Sequence, residues 1–155
     1  MLDAGTVVKE LQDMRDGGHL SDALLRKAVR SIATADDRYD WVGVYLARDG
    51  EELWLHNYVG EPTEHAKIPF GTSVVGRAAA THRNQNVEDV SKEEGYLANS
   101  PDTESELVIL IRAGDEIFGG IDISSEQAGA FKEDDEIGLI SIADKLAEQL
   151  AAERR

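Results

Sequence analysis

The amino-acid sequence predicts an α+β domain with a mostly antiparallel sheet, terminal helices on one face of that sheet and an irregular roof over the other face. Three observations indicate this class. Apolar residues recur at helical spacing near both ends of the chain, whereas residues 41–59 and 107–124 hold runs rich in aromatic and β-branched residues. Turn signals join these runs in pairs, and hairpin connections make a sheet antiparallel. The polar, irregular stretch between the pairs is left to cover the free face.

The length of 155 residues suits one domain with a sizeable core. We predict a single domain over residues 1–155. Its N-terminal helices fall in residues 1–37, its sheet and pocket in residues 38–130, and its C-terminal helix in residues 131–155.

Two helices are predicted before the sheet. Gly17-Gly18 ends the first helical pattern, and Ser21 follows as a candidate N-cap, with Leu20 and Leu25 placed as a hydrophobic staple around it. The second helix should end near Asp36-Asp37. The apolar positions that predict these helices are Leu2, Val7, Leu11 and Met14 in the first, and Leu24, Ala28, Ile32 and Ala35 in the second.

Two hairpins are predicted to build the sheet. Asp49-Gly50 is a strong hairpin signal between strands at residues 41–46 and 53–59. Residues 113–115 form the turn between strands at 107–111 and 116–124. The run 107–111 is continuously apolar, so it should be covered on both faces. A last helix is expected over residues 133–153, with Leu139, Ile142, Leu146 and Leu150 on its apolar side.

The middle of the chain predicts the roof. Residues 67–71 read as an edge segment because Pro69 cannot donate to a strand ladder. Residues 74–81 fit a short helix, and residues 85–87 fit a short strand. Residues 89–104 form a long polar loop, and a loop of that length in a compact domain is usually functional or mobile. A pocket between sheet and roof is therefore expected.

The charge balance narrows the classes of partner. Sixteen Lys and Arg oppose 31 Asp and Glu, for a net charge of −15. Such a surface repels phosphate, which argues against nucleic acid and against anionic membranes as partners. The acidity indicates either solubility alone or adaptation to a salt-rich cytoplasm. No secretory pattern and no long apolar run is present, so we expect a cytoplasmic protein.

The sequence contains no cysteine, which removes disulfides, thiolate zinc sites and thiol nucleophiles together. Its four histidines include no pair at i, i+4 spacing with a carboxylate general base, so a zinc hydrolase is not expected. We predict no metal site, no cofactor and no catalytic residue.

Five segments in order carry a resemblance to a known family. They are residues 41–46, 68–76, 105–109 and 120–125, and the pattern Phe131-x-x-Asp134-Asp135 at the start of the last helix. With them the chain resembles a GAF domain, the small-molecule-binding module of signalling proteins, over roughly residues 20 to 150. More narrowly, it is similar to the free methionine-(R)-sulfoxide reductases, which are stand-alone GAF enzymes.

The resemblance implies a pocket without that family's reaction. The family's cysteines attack the sulfoxide and are recycled through disulfides, and their positions fall at Val75 and Asn99 in this chain. A third acidic position of the family is Ser124 here, which changes the charge of the site by one unit. The residues implied to bind the ligand are Trp41, Tyr45, Glu106, Asp122 and Ser124, with Val75 and Asn99 as further pocket-lining positions.

The residues also support a site without the family. Alternate residues of a strand share a face, so Trp41 and Tyr45 lie together, as do Asp122 and Ser124. Glu106 precedes an apolar run, where a buried carboxylate must find a partner or a ligand. Two carboxylates beside aromatic walls suit a cationic or amine-bearing ligand.

Plainer interpretations remain open at each position. Trp41 and Tyr45 are equally well explained as core, Asp122 as a residue that bonds a loop backbone, and Glu106 as an exposed strand end. Gly119-Gly120 fits either close ligand approach or a bulge. The charged run 132–136 is most simply a helix N-terminal cluster that complements the helix dipole.

Three functions follow as hypotheses. The first is a non-catalytic, sensor-type GAF domain that binds an unidentified small molecule and signals through association. The second is a divergent enzyme related to free methionine-(R)-sulfoxide reductase, with Glu106 and Asp122 as acid and base. The third is a structural dimerisation module whose pocket is filled. A homodimer through the apolar faces of the terminal helices is compatible with all three.

Overall fold

A computed structural model describes residues 1–154 and contains one six-stranded sheet with helices on both faces. The strands lie in the order β3-β2-β1-β6-β5-β4, and each neighbouring pair is antiparallel. The elements are α1 (Ala4–Asp16), α2 (Ser21–Ala33), β1 (Trp41–Arg48), β2 (Glu52–Val59), β3 (Lys67–Pro69), α3 (Ser73–Thr81), β4 (Gln85–Val87), β5 (Ser105–Ala113), β6 (Glu116–Ser125) and α4 (Glu133–Ala152). Within residues 1–154, no helix combines the length and hydrophobicity that a membrane span requires.

The β1–β2 turn explains why these strands pair as they do. Asp49 and Gly50 both have positive φ angles, 56° and 67°, and the Glu51 amide donates to the Arg48 carbonyl at 3.1 Å. A two-residue turn of this hand matches the right-handed twist of the strands, and Asp-Gly adopts it at little steric cost. The predicted hairpin is therefore confirmed.

Alternation along the strands divides the core into two layers. The odd residues of β1, including Trp41 and Tyr45, face the roof, whereas Val42 and Val44 face the layer formed by α1, α2 and α4. Both layers bury β5 from Ser105 to Ile111, as its continuous apolar run predicted. The roof consists of β3, α3, the loop before β5 and a 3-10 turn at Val90–Lys92 within that loop.

The start of α2 differs from the prediction. Ser21 is the first helical residue and does not cap the helix. Its amide and its Oγ each donate at 2.7 Å to the carboxylate of Glu153, so a residue 132 positions away satisfies the helix end. Leu20 is 62% exposed while Leu25 is buried, so the predicted staple between them is wrong. The helix also ends at Ala33, before the predicted Asp36-Asp37.

A bulge in β6 accounts for the glycine pair. The pairing of β5 with β6 shifts between Ile111 and Arg112, which leaves Phe118 as the extra residue on β6. A Cβ atom on Gly119 would lie 1.9 Å from the Tyr45 carbonyl oxygen. Glycine at this position therefore lets β6 approach β1, and the bulge interpretation of Gly119-Gly120 holds.

The apolar faces of the terminal helices pack within the chain. Val7 and Leu11 of α1 are buried with Leu139 of α4 in the layer on the helix side of the sheet. Ile137 and Ile140 of α4 remain 55% and 39% exposed on its outer side. Self-association through these helices stays a prediction, and the apolar surface left for it is small.

Candidate functional site

The strand register brings the predicted ligand-binding residues onto one face of three adjacent strands. Residues that pair directly across an antiparallel sheet point to the same side. The pairing of β1 with β6 and of β6 with β5 defines three consecutive rows: Trp41, Ser124 and Glu106; then Gly43, Asp122 and Val108; then Tyr45, Gly120 and Leu110.

This face is closed to solvent. Glu106 is 2% exposed and Asp122 is 1% exposed, so the interpretation of Glu106 as an exposed strand end is wrong. The prediction missed that β4 continues the sheet beyond β5: Val87 pairs with Glu106, and α3 and the long loop cover the face above.

Trp41 forms a wall of the site by lying across a glycine. A Cβ atom on Gly43 would lie 2.4 Å from Cη2 of the indole, so the ring occupies the space that a side chain would need. On the sheet the indole stacks against Tyr58, with ring centroids 5.5 Å apart, and its Nε1 donates to the Glu61 carbonyl at 3.1 Å. Because Gly43 pairs with Asp122, the ring lies beside the row that carries that carboxyl.

Tyr45 closes the opposite end of the same face. Its hydroxyl donates to the His65 carbonyl at 2.8 Å. Burial, together with the charges of Asp122 and Glu106, raises the pKa of Tyr45, so the phenol stays neutral. Like the indole N–H of Trp41, the Tyr45 hydroxyl donates to a backbone carbonyl of the loop before β3, and the Tyr45 ring lines the space between sheet and roof.

The roof supplies Val75 and Asn99, the two positions at which the family resemblance implies cysteines. Val75 in α3 lies over the sheet face that carries the predicted residues, here called the floor, because a Cβ atom on Gly120 would be 3.7 Å from Val75 Cγ2. Asn99 in the long loop is buried, and its Nδ2 is 3.5 Å from Asp122 Oδ2. Its Oδ1 accepts a hydrogen bond from Thr63 Oγ1 at 3.0 Å. Asp122 therefore contacts a loop side chain and does not bond a loop backbone as the plainer interpretation had it.

Tyr96 belongs to the site and was missed by the sequence reasoning. It lies in the long loop, and its hydroxyl donates to Glu106 Oε1 at 2.6 Å. Burial and the charge of Glu106 raise the pKa of Tyr96. The signal for it was an aromatic residue between Gly95 and Leu97 in an otherwise polar loop.

The two carboxyls are buried, and within residues 1–154 neither forms an ion pair; the charge of Arg77 opposes the rise in the pKa of Glu106 only weakly. Burial raises the pKa of Glu106, and it raises that of Asp122 well above its usual range, with the neighbouring Glu106 charge adding to the effect. The guanidinium of Arg77 is engaged with Glu93 at 2.6 Å and with Gln85 at 3.2 Å. Glu106 and Asp122 hydrogen-bond each other, and no other group of residues 1–154 bonds Asp122 Oδ1 or the hydroxyl oxygen of Ser124.

This arrangement can hold a positive charge. An ammonium group would supply the donor that Asp122 lacks, and the edge of the site is lined by the aromatic face of Trp41. Across residues 1–154, no three potential ligands gather as a metal site would need.

Two of the cavities near the roof bear on where the site lies. A cavity of about 470 Å³, here called the outer cavity, borders the predicted site and is lined by Pro62, Thr63, Glu64, His65, Ala98, Asn99, Ser100 and Pro101. A larger one of about 720 Å³ lies at the hairpin-turn end, between Phe70, His82 and Phe118. None of the predicted site residues lines the larger cavity, so size alone does not mark the site.

The charged run at the start of α4 is structural. Asp135 accepts the Lys132 amide at 2.8 Å and the Arg38 guanidinium at 2.7 Å. Its partners are the helix end and a cation, which fits the predicted N-terminal cluster.

Comparison with known proteins bears on the fold and the family resemblance. A family model described as GAF domain matches residues 21–153. The free methionine-R-sulfoxide reductase of Escherichia coli K12 is 34% identical over 112 residues, which are 72% of this chain and 67% of that protein. The type II enzyme of this name from Thermoplasma acidophilum superposes with a TM-score of 0.80 at 35% identity, covering 85% of this chain and 93% of that one. The free methionine-R-sulfoxide reductase from Neisseria meningitidis, solved in complex with its substrate, superposes with a TM-score of 0.87 at 27% identity. The superposition covers 97% of this chain and 90% of that one. The predicted fold and resemblance are thereby confirmed, while the ligand-binding roles stay predictions.

Proposed function

The chain belongs to the GAF domain family, and from that premise we propose that it binds a small amine-bearing molecule between sheet and roof without reducing it. The family membership supports a pocket in this place. The chemistry of the ligand has to come from the side chains of this chain.

One observation carries the proposal: Glu106 and Asp122 are buried together, and within residues 1–154 the partners of Asp122 are the Asn99 amide and the Glu106 carboxyl, with no cation. A buried polar group without a partner destabilises the folded state, and a buried unpaired charge does so more strongly. Such a group persists where it serves a ligand. A ligand ammonium would turn the unfavourable pair into an ion pair with charge-assisted hydrogen bonds.

The first candidate ligands are free amino acids. Relatives at 34% and 35% identity are named for the reduction of free methionine-R-sulfoxide, which carries an ammonium group. By the family resemblance, Ser124 stands at an acidic position, so the candidate site in this chain has one negative charge fewer. A singly charged amine suits it better than a dication.

Thiol reduction is not part of the proposal. None of the 155 residues is a cysteine, and Val75 and Asn99 stand at the family's thiol positions. A hydrophobic side chain and an amide cannot attack the sulfoxide sulfur. Binding without turnover is what these residues support.

Thermal unfolding with added ligands tests the proposal. Free methionine-R-sulfoxide, methionine and simple primary amines are titrated, with N-acetylmethionine sulfoxide as the matched compound that lacks the ammonium group. A ligand at 100 times its Kd stabilises the native state by about 2.7 kcal/mol. We expect a shift with the amines and none with the acetylated compound, and equal responses to both would contradict an acid-based site.

Two further measurements complete the test. Asp122→Asn keeps the shape of the side chain and removes its charge, so it should abolish the response to amines. Incubation of the wild type with methionine sulfoxide and a reductant should yield no methionine. Turnover there would instead establish the divergent enzyme.

A second candidate function is that of a structural dimerisation module whose pocket is filled by its own side chains. The close packing of Trp41 and Tyr45 favours it. Trp41 and Tyr45 are 1% and 0% exposed, and both polar atoms bond loop carbonyls. Under this alternative no amine shifts the unfolding temperature, and Asp122→Leu folds with unchanged or higher stability because it removes an unpaired acid.

Sensor output through association forms the last part of the proposal. The exposed Ile137 and Ile140, one helical turn apart on α4, offer a surface for a second copy. Sedimentation with and without the active amine measures it. Ile137→Glu should abolish any dimer, and a monomer under both conditions would remove self-association from the proposal.

A further inference from the structure

We infer that the outer cavity is the entrance to the candidate site and that Asn99, held by Thr63, is the gate that a ligand must displace to reach Asp122. This inference rests on the proposed function, because it concerns how an amine arrives at the buried acids. It assigns a role to a cavity and to a pair of residues that the binding chemistry alone does not require.

The acids need an entrance because solvent does not reach them. Glu106 and Asp122 are 2% and 1% exposed, and Trp41 and Tyr45 close the sides. A molecule that binds there must pass between elements that are in contact in the closed form.

The outer cavity is the opening that adjoins Asp122. It holds about 470 Å³ between segments 62–65 and 98–101. Asn99 lines this cavity, and the same side chain places its Nδ2 3.5 Å from Asp122 Oδ2. A single side chain thus lines the outer cavity and contacts the Asp122 carboxyl.

The two walls of the entrance are not held equally. Segment 61–65 is tied to the sheet by the indole of Trp41, which bonds the Glu61 carbonyl, and by the hydroxyl of Tyr45, which bonds the His65 carbonyl. Asn99 is held by one hydrogen bond from Thr63 and by the long contact to Asp122. Two bonds from buried side chains of the sheet hold segment 61–65, whereas Asn99 has one bond at 3.0 Å and one contact at 3.5 Å, so the Asn99 side is the one that opens.

Displacement of Asn99 also explains why the site would favour a cation over an uncharged molecule. When Asn99 leaves, Asp122 loses its amide donor in a buried setting, which is unfavourable unless another donor arrives. An ammonium group replaces the neutral amide with a charge-assisted hydrogen bond, which is stronger. An uncharged molecule offers no such replacement, so the exchange at Asp122 selects for amines.

The absence of cysteine allows a direct test that needs no knowledge of the natural ligand. Ser124→Cys places a single thiol in the chain, beside Asp122 on the same face, at a position whose hydroxyl has no partner. The probe is 2-aminoethyl methanethiosulfonate, a thiol reagent that carries an ammonium group. Its labelling rate reports how often the entrance opens.

The gate variants should change this rate. In the Ser124→Cys background, Asn99→Ala is expected to speed labelling about tenfold, because one hydrogen bond shifts an opening equilibrium by about that factor. Thr63→Val, which removes the donor to Asn99, should give a smaller increase. Ser91→Ala is the matched control, since it removes a 2.6 Å bond to Asp89 elsewhere in the same loop and should leave the rate unchanged.

The possible outcomes are distinct. An equal increase with Ser91→Ala, or no increase with Asn99→Ala, overturns the gate. If Ser124→Cys does not fold, Val75→Cys serves as the reporter, because Val75 lies over the same floor and is 2% exposed. A sulfonate-bearing reagent of the same size separates the two proposals. Preference for the ammonium probe without an effect of Asn99→Ala leaves the acid site standing and removes the gate alone, whereas no preference removes the acid site.

Discussion

Two buried acidic clusters on opposite sides of the sheet differ in what neutralises them. On the helix side, Arg38 Nη2 lies 2.6 Å from Asp36 Oδ2 and 2.7 Å from Asp135 Oδ1. On the roof side, Glu106 and Asp122 form no ion pair within residues 1–154; they hydrogen-bond each other and accept from Tyr96 and Asn99.

The pKa shifts in the two clusters are opposite, because the helix-side acids are less deeply buried and have a cation. The Arg38 guanidinium lowers the pKa of Asp36 to about 2. Burial alone would raise the pKa of Asp135, yet its hydrogen bonds from Arg38, Tyr39 and the Lys132 amide together leave it below its ordinary value. For Glu106 and Asp122 burial prevails and both pKa values rise. The helix-side cluster is completed by its own cation, and the roof-side cluster, which lacks one, is where we propose that a cation from outside binds.

Removing the cation from the helix-side cluster should have the largest effect. Arg38→Met leaves Asp36 and the buried Asp135 facing each other, and breaking a buried pair in this way destabilises by about 3 kcal/mol. Urea unfolding at pH 7 measures it. Arg26→Met is the control, because its pair with Asp22 is exposed and screened by solvent, so little change is expected. A similar small change in both variants would mean that Arg38 does not stabilise the fold.

Replacing an acid of the roof-side cluster should raise the free energy of unfolding, whereas Arg38→Met lowers it. Asp122→Asn takes away a buried carboxyl that has no cation, so we expect unfolding to become harder by about 1–2 kcal/mol. The gain should be accompanied by loss of amine binding. Asp144→Asn, at an exposed position on α4, controls for the change of net charge. A loss of stability in Asp122→Asn would show that the carboxylate is already paired, and the contrast between the clusters would fail.

The pH dependence of the unfolding free energy distinguishes the two clusters, because Asp122 and Asp36 have pKa shifts of opposite direction. Asp122 has a folded pKa above its ordinary 3.8, so above that pH the folded protein keeps a proton that the unfolded chain releases. Stability therefore falls as pH rises towards the folded pKa, by up to about 1.4 kcal/mol per pH unit for one proton. Asp36 has a lowered pKa, so its contribution is present above 3.8 and is lost as pH falls towards about 2.

Urea unfolding from pH 2 to pH 8 records both slopes. In Asp122→Asn the falling slope above pH 4 should flatten, while the acid limb should remain because Arg38 and Asp36 are unchanged. An unchanged slope in the variant would assign the pH dependence to other groups.

The sequence predicted which residues share the roof-side face, because that depends on local patterns. Period-2 alternation placed Trp41 with Tyr45 and Asp122 with Ser124, and the Asp-Gly turn fixed the first hairpin. Given those strands, pairing β1 with β6 was enough to bring the aromatic and acidic residues together.

The missed features depend on contacts between distant residues. Glu153 bonds the start of α2 from 132 positions away, and Arg38 reaches Asp135 across 97 positions. The contacts of Thr63 with Asn99 and of Tyr96 with Glu106 depend on how two irregular loops fold onto the sheet. No periodicity encodes such contacts, because loop conformation is set by the surface that the loop covers.

The smallest expected effect comes from Ser124, and it separates a binding role from a structural one. Its hydroxyl is 1% exposed and has no partner, so Ser124→Ala should change the unfolding free energy by no more than about 0.5 kcal/mol. Ser105 is the matched control: it is equally buried, but its Oγ donates to the Gln127 carbonyl at 2.6 Å, so Ser105→Ala should destabilise by about 1–2 kcal/mol. If Ser124 faces a ligand, its alanine variant keeps its stability and loses part of the thermal shift with the active amine. Equal destabilisation in the two variants would instead show that the Ser124 hydroxyl already has a partner within the fold, and the roof-side cluster would then be as complete as the one around Arg38.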